Sequence, residues 1–196
     1  MGYFNGKKSL NLRLWHWFNF ISIMGLVFTY IFRKTWFNKK DNALILQSKL
    51  SELGLEISDK NAIEIVSIFR DHMWTWHYIF GFIFIFLLIY RIQAFIFQKE
   101  PTPLAKIKDA YTLEQKGAKI AHIVFYIVSI YMVFSGLLLF FMDNLGLSKA
   151  DLVVVKTLHV YAFWFYVVFI ISHIAGVIKA ELFSDKGLIS EMFSSK

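Results

Sequence analysis

The sequence predicts an all-α membrane protein, a bundle of four transmembrane helices in a single membrane domain over residues 1–196. Three observations predict it. The chain is 57% hydrophobic and only 18% charged, whereas a soluble domain is about half apolar and about a quarter charged. The apolar residues are gathered into four proline-free blocks, at about residues 14–32, 74–97, 120–142 and 158–178, each close to the ~20 residues that cross a hydrocarbon core of ~30 Å. Tryptophans cluster at block ends (Trp15, Trp17, Trp36, Trp74, Trp76), where amphipathic rings meet the head groups.

The first block follows Lys7 and Lys8 and looks superficially like a leader peptide. Its apolar run is too long for one, and Arg33-Lys34-Thr35-Trp36 is no small-residue cleavage site. A retained first helix is expected. Only helices or closed barrels satisfy the backbone in lipid. Barrel strands alternate in hydrophobicity over ~10 residues, and these blocks do not.

The connection 33–73 is expected as a long polar loop. Within it, Ile63, Val66, Ile68 and Phe69 recur at helical spacing. They predict a short amphipathic helix over 61–70, lying on the membrane surface or against a partner. The second connection holds both prolines, Pro101 and Pro103, and begins as a loop. The third, 143–157, is short. The tail 179–196 is polar and is expected to end in a short amphipathic helix. No internal repeat is evident.

The net charge is +7 and the pI near 9.5. The basic residues flank the apolar blocks, which points to anionic lipid head groups and away from nucleic acid. With the N-terminus inside, the inner segments carry twelve basic residues and the outer segments nine. Basic residues are enriched on the cytoplasmic side, so both termini are expected in the cytoplasm. There is no cysteine, which excludes disulfides, iron–sulfur clusters and covalent C-x-x-C-H haem attachment.

The six histidines, His16, His72, His77, His122, His159 and His173, carry the functional signal. An ionisable residue within a span is costly and is a functional hypothesis by default. Successive helices run in opposite directions, so His16 and His173 fall at one depth, taken as the inner one, and His77 and His159 at the other. His159 and His173 are fourteen residues apart on the last span. At ~100° per residue they share a face, and at ~1.5 Å per residue they stand ~21 Å apart. Two stacked haems with one axial ligand each from a shared helix need this arrangement. His16 would complete the inner site and His77 the outer one. Single helix-end histidines are more often interfacial polar residues; four of them paired by depth favour haem. Gly25, Gly81, Gly136 and Gly176 provide small residues where a macrocycle would press on a backbone, although such glycines more often serve helix packing.

His122 lies near the inner end of the third span. It competes with His16 for ligation, or contacts a propionate or a quinone. His72 is a loop residue, a propionate contact or a rival to His77. Arg13, three residues before His16, pairs with an inner propionate or anchors in the head groups. Arg91 has the same two readings, and Lys156 would serve the outer haem. No H-E-x-x-H, Gly-rich phosphate loop or G-x-S-x-G elbow is present.

Arg13-Leu14-Trp15-His16-Trp17-Phe18-Asn19 resembles the opening of the cytochrome b subunits of membrane-bound nickel–iron hydrogenases and their relatives. Thr75-Trp76-His77-Tyr78-Ile79-Phe80-Gly81 with Tyr90-Arg91 resembles the second helix of that family. His122 with Ser135-Gly136-Leu137 resembles its third helix. Leu158-His159 and Ser172-His173-Ile174-Ala175-Gly176-Val177 resemble its fourth, and the tail 187–193 has a similar look. The likeness covers nearly the whole chain except the first connection. The family includes subunits of formate dehydrogenase and thiosulfate reductase and free-standing quinol-oxidising cytochromes.

The resemblance implies two haems b, with iron ligands at His16, His77, His159 and His173. It also implies electron exchange between a quinone pool (menaquinone or ubiquinone) and a redox partner protein, in the bacterial inner membrane. The chain is thus expected to be an electron-transfer subunit of a respiratory oxidoreductase, in contact with lipid and open to oligomerisation. Its quinone site is expected near His122, Arg91 and Arg13. Two other readings stand beside this one: a free-standing quinol-oxidising cytochrome, and a non-redox scaffold or transporter whose purified form is colourless.

Overall fold

The computed structural model describes residues 8–97, Thr102, Leu104, Ile107 and 112–193. Among them every regular element is helical. The elements are α1 (Leu10–Lys34), α2 (Lys39–Glu52), α3 (Asp59–Phe97), α4 (Leu113–Phe140), α5 (Val153–Phe183) and α6 (Leu188–Phe193). The helices α1, α3, α4 and α5 are long and apolar enough to cross a membrane. They contain the four apolar blocks apart from positions 141–142, which follow the end of α4, and the chain is an all-α, multi-pass membrane protein. Phe86, Phe134, Val168 and Ile171, all within spans, are 65–69% exposed. Apolar surface on this scale is excluded from water and suits lipid. The expected loop at Pro101 and Pro103 lies outside the described residues, as do Lys7, Lys99, Lys106, Lys108 and Lys196 of the charge comparison.

The segment 33–73 differs from the expected loop. It contains α2, and the apolar residues of 61–70 belong to no separate surface helix. They open α3, which runs unbroken for 39 residues, or ~58 Å at ~1.5 Å per residue. Positions 59–73 hold neither glycine nor proline, so nothing stops the helix before the apolar span begins. Since a bilayer core is ~30 Å thick, the N-terminal part of α3 extends beyond it. The expected helix in the tail is present as α6.

The chain divides into two compact units, Met1–Asn19 with Ile85–Lys196, and Phe20–Phe84. In the second unit, α1 meets α3 closely. Ser22 donates its hydroxyl to the Phe80 carbonyl at 2.8 Å, Gly25 lies against the Phe80 ring, and Arg33 sits over Trp74 at 5.3 Å. Ile23, Val27, Met73 and Phe84 are buried. Asn38 caps α2 by accepting from the Lys40 amide. Gln47 of α2 donates to the Ile57 carbonyl and the Asp59 carboxylate at 3.2 and 2.8 Å.

In the first unit, α4 packs along α5. A capping box between Thr112 and Gln115 opens α4, satisfying donors that a helix start leaves orphaned. Ser129 and Tyr166 share a buried hydrogen bond of 2.8 Å, and the Tyr131 hydroxyl donates to the Val155 carbonyl at 3.2 Å. Near the opposite end Lys179 pairs with Glu114 at 2.6 Å. Phe125, Phe163 and Tyr166 form the buried apolar layer.

Candidate functional site

Three imidazoles converge in the first unit, from α1, α4 and α5. The His16 and His173 ring centroids are 6.2 Å apart, and His122 lies 5.9 Å from His173, edge-on at 80°. Phe169, one turn before His173, stacks on its ring at 5.8 Å and 7°. It also meets the edge of His122 and stacks on Phe125 at 4.7 Å. The His122 Nδ1–H donates to the Ala118 carbonyl at 2.6 Å, so its Nε2 carries the lone pair. The sequence placed these three at one depth, and the structure brings them together.

The donor set fits a bis-imidazole haem. Transition-metal–imidazole bonds are about 2.0–2.1 Å, so two axial rings across one metal have centroids roughly 6.3 Å apart. The His16–His173 separation matches that spacing. The His16 Nδ1 is buried and has no hydrogen-bond partner, whichever nitrogen faces His173. A Cβ built on Gly176, on α5 three residues beyond His173, meets nothing within 4 Å. The cluster contains one imidazole more than an iron takes axially.

Arg91, expected at a propionate, at the quinone site or among the head groups, lies inside the first unit. It is buried, 6% exposed, with its guanidinium 5.0 Å over Trp15 and 4.5 Å over Phe95. Its Nε donates to the Tyr126 hydroxyl at 3.4 Å. Trp15 is fixed by donating Nε1–H to the Leu87 carbonyl at 2.9 Å. A cation in a desolvated aromatic sandwich gains about 2 kcal/mol. Trp15 precedes His16, and Tyr126 is one turn beyond His122, so the helices carrying those imidazoles also hold the guanidinium.

Arg13 is engaged with the tail. Its Nη1 donates to the Phe193 carbonyl at 3.1 Å, while its Nε is buried with no hydrogen-bond partner. Trp17 donates to the Met192 carbonyl at 3.0 Å and packs on Phe193 at 4.7 Å. The Glu181 carboxylate accepts from the Gly187 and Ile189 amides at 2.8 and 2.9 Å, satisfying the start of α6. The tail is thus tied to the turn of α1 that carries His16. Arg13, Leu14, Trp17 and Phe193 border a shallow cavity of about 190 Å³.

His159 and His77 fall in different units, and each is described by itself. In the first unit His159 lies against α4. Its Nδ1 is 2.8 Å from the Ser135 hydroxyl, and a Cβ on Gly136 would stand 3.4 Å from its Cε1. Gly136 therefore permits the ring's approach. In the second unit His77 of α3 lies against α1, with Nδ1 2.8 Å from the Thr29 hydroxyl. Gly81, one turn on, faces open space, whereas Gly25 is filled by the Phe80 ring and serves helix packing.

His72 lies on α3, not in a loop. It is exposed and donates Nδ1–H to the Ile68 carbonyl at 3.0 Å. Lys156 is exposed near the start of α5. Sequence reasoning missed Thr29, Ser135, Trp15 and Tyr126 as neighbours of these groups. Thr29 and Ser135 had a legible signal, since each is a hydroxyl at the depth of a predicted ligand. Among the described residues, no three His, Asp or Glu side chains converge on a single ion.

The family model described as prokaryotic cytochrome b561 matches residues 9–195, nearly the whole length. No curated protein and no solved structure matches the chain.

Proposed function

The chain belongs to the prokaryotic cytochrome b561 family, a family of membrane b-type cytochromes in electron transfer, and from that premise we propose a di-haem protein linking a redox partner to the quinone pool. His16 and His173 hold the inner haem b. The observation that carries the reading is the convergence of their rings at 6.2 Å on a helix, α5, that presents His159 fourteen residues earlier. The depth argument from the sequence pairs His159 with His77 at the outer haem.

A haem b held by two imidazoles supplies a reversible one-electron couple with no open coordination position. The chain's own residues then do three things. The imidazoles of His16 and His173 would hold the iron. The aromatic layer of Phe125, Phe163, Phe169 and Tyr166 excludes water between the two depths. Arg91 and His122 place a fixed cation and an imidazole lone pair beside the inner site, where a quinone head group finds its polar contacts. Arg13 closes the same end through the tail.

A partner protein is supported by the part of the chain beyond the membrane. Leu44, Ile45, Leu53, Leu55, Ile68 and Phe69 are more than half exposed there, on α2, the turn after it and the extension of α3. In this reading the termini are cytoplasmic and α2 faces the other side. The protein purified in detergent and reduced with dithionite tests the haem content. A b-type difference spectrum with two haems per chain supports the reading, and one haem or none overturns it.

A further inference from the structure

We propose that Thr29 and Ser135 are positioning residues, each locking a histidine ring of the outer site so that its Nε2 is presented to iron. The inference rests on the reading of His77 and His159 as ligands, and it concerns two hydroxyls that the ligand pattern does not include.

Each hydroxyl has a single proton and two lone pairs. The Thr29 Oγ1 is 2.9 Å from the Leu26 carbonyl on its own helix, and the Ser135 Oγ is 2.7 Å from the Tyr131 carbonyl. A carbonyl only accepts, so the proton of each hydroxyl goes to its own backbone. What each hydroxyl turns toward the imidazole is a lone pair, 2.8 Å from Nδ1 in both cases. The ring therefore donates Nδ1–H, and its Nε2 carries the lone pair that a metal requires. The reverse tautomer would cost each hydroxyl its bond to that carbonyl, which would keep only its backbone donor.

Self-satisfaction explains only half of this. A serine or threonine in a membrane helix commonly bonds a carbonyl one turn back and needs nothing more. Here both hydroxyls have a second, cross-helix bond, and both end on a histidine. Thr29 and Ser135 are buried, 6% and 0% exposed, so water does not compete. The device recurs on different helix pairs, α1 with α3 and α4 with α5. His122 provides the contrast. Its Nδ1–H bonds a carbonyl of its own helix, which sets the tautomer without tying the ring to a second helix. A hydrogen bond accepted from the distal ring nitrogen orients a metal-bound imidazole and raises its basicity, and losing it lowers metal affinity about 10–100-fold.

The test is a redox titration of the purified holoprotein with Thr29→Val and Ser135→Ala. A more basic imidazole favours oxidised iron, so each variant should lose about tenfold of that preference. For one electron this is an upward midpoint shift of about 59 mV, in the haem that His159→Ala removes, with the other haem unchanged. Thr29→Ser and Ser135→Thr should restore the native potential. If a variant sheds that haem instead, retention in the matching hydroxyl-bearing variant still supports the proposal, and loss there overturns it. Unchanged potentials, or equal shifts in both haems, overturn it also. If His77→Ala retains both haems, the ligand assignment falls and this inference with it. If His77→Ala loses one haem and Thr29→Val changes nothing, the inference alone falls.

Discussion

Gly25→Ala places a single methyl group where α1 and α3 meet most closely. The added Cβ would stand 2.5 Å from Cδ2 and Cγ of Phe80 and 2.7 Å from Cδ1. Ordinary carbon contacts are about 3.5–4.0 Å, so the ring or the helix must retreat by roughly 1 Å. Phe80 Cγ is bonded to Cβ, which leaves little freedom for the ring to move alone. The Ser22–Phe80 bond at 2.8 Å also holds the two helices at this separation. Overpacking of this kind costs about 1–3 kcal/mol, and for a chain of this length each kcal/mol lowers the melting temperature by roughly 2–4 °C.

The consequence extends to function, because Thr29 is one turn beyond Gly25 and His77 is one turn before Phe80. Separating the helices stretches the Thr29–His77 bond, so the haem at the His77 depth should be destabilised and the other spared. The assay is thermal loss of the haem spectrum in detergent, followed for each haem. Phe80→Ala in the same chain makes room for the methyl group and should recover most of the loss. A Gly25→Ala protein with native melting and both haems equally retained would refute the reasoning.

Three other outcomes follow from contacts elsewhere in the chain. Ser129→Ala or Tyr166→Phe leaves half of a buried hydrogen bond and should cost about 1–3 kcal/mol; the double variant should cost less than the sum in a thermal-melt cycle. Arg91→Leu removes the guanidinium between Trp15 and Phe95 and should abolish reduction by a quinol while dithionite still reduces both haems; unimpaired quinol reduction would clear Arg91 of a role. Asp151, in the connection between α4 and α5, has its carboxyl held below the usual range by hydrogen bonds from the Ser148 hydroxyl and amide. A depressed folded value means that this contribution is full above the ordinary carboxylate range and is lost as pH falls through the lower folded value; the protection of the Ser148 amide relative to its intrinsic exchange rate should fall there in the native protein, while Asp151→Asn should lack that acid-dependent step.

Much of this was legible in the sequence, because a bilayer imposes a length and an apolar content that a chain cannot disguise. The four spans and the common level of His16, His122 and His173 follow from those constraints and the 1.5 Å rise. The continuity of α3 was less plain. Ile63, Val66 and Phe69 recur identically in a surface helix and in the extension of a span, and only the missing breaker over 59–73 separates the two. Arg91 was read as a propionate or quinone contact or a head-group anchor because it stands near a span end. Its burial depends on the ring faces of Trp15 and Phe95, which come from two helices and leave no mark in the spacing. Arg13 was read toward a propionate or the head groups; its Nη1 bonds the carbonyl of Phe193, a contact across 180 positions that no local pattern encodes. Thr29 and Ser135 were passed over because hydroxyls in membrane helices usually satisfy themselves.

The shared-helix claim is tested most directly by haem quantification and low-temperature spectra of His159→Ala and His173→Ala, each purified in detergent. Each variant should retain one haem per chain, and the two should lose different spectral components. Two haems retained in both variants would contradict the assignment of α5 as the helix that serves both sites.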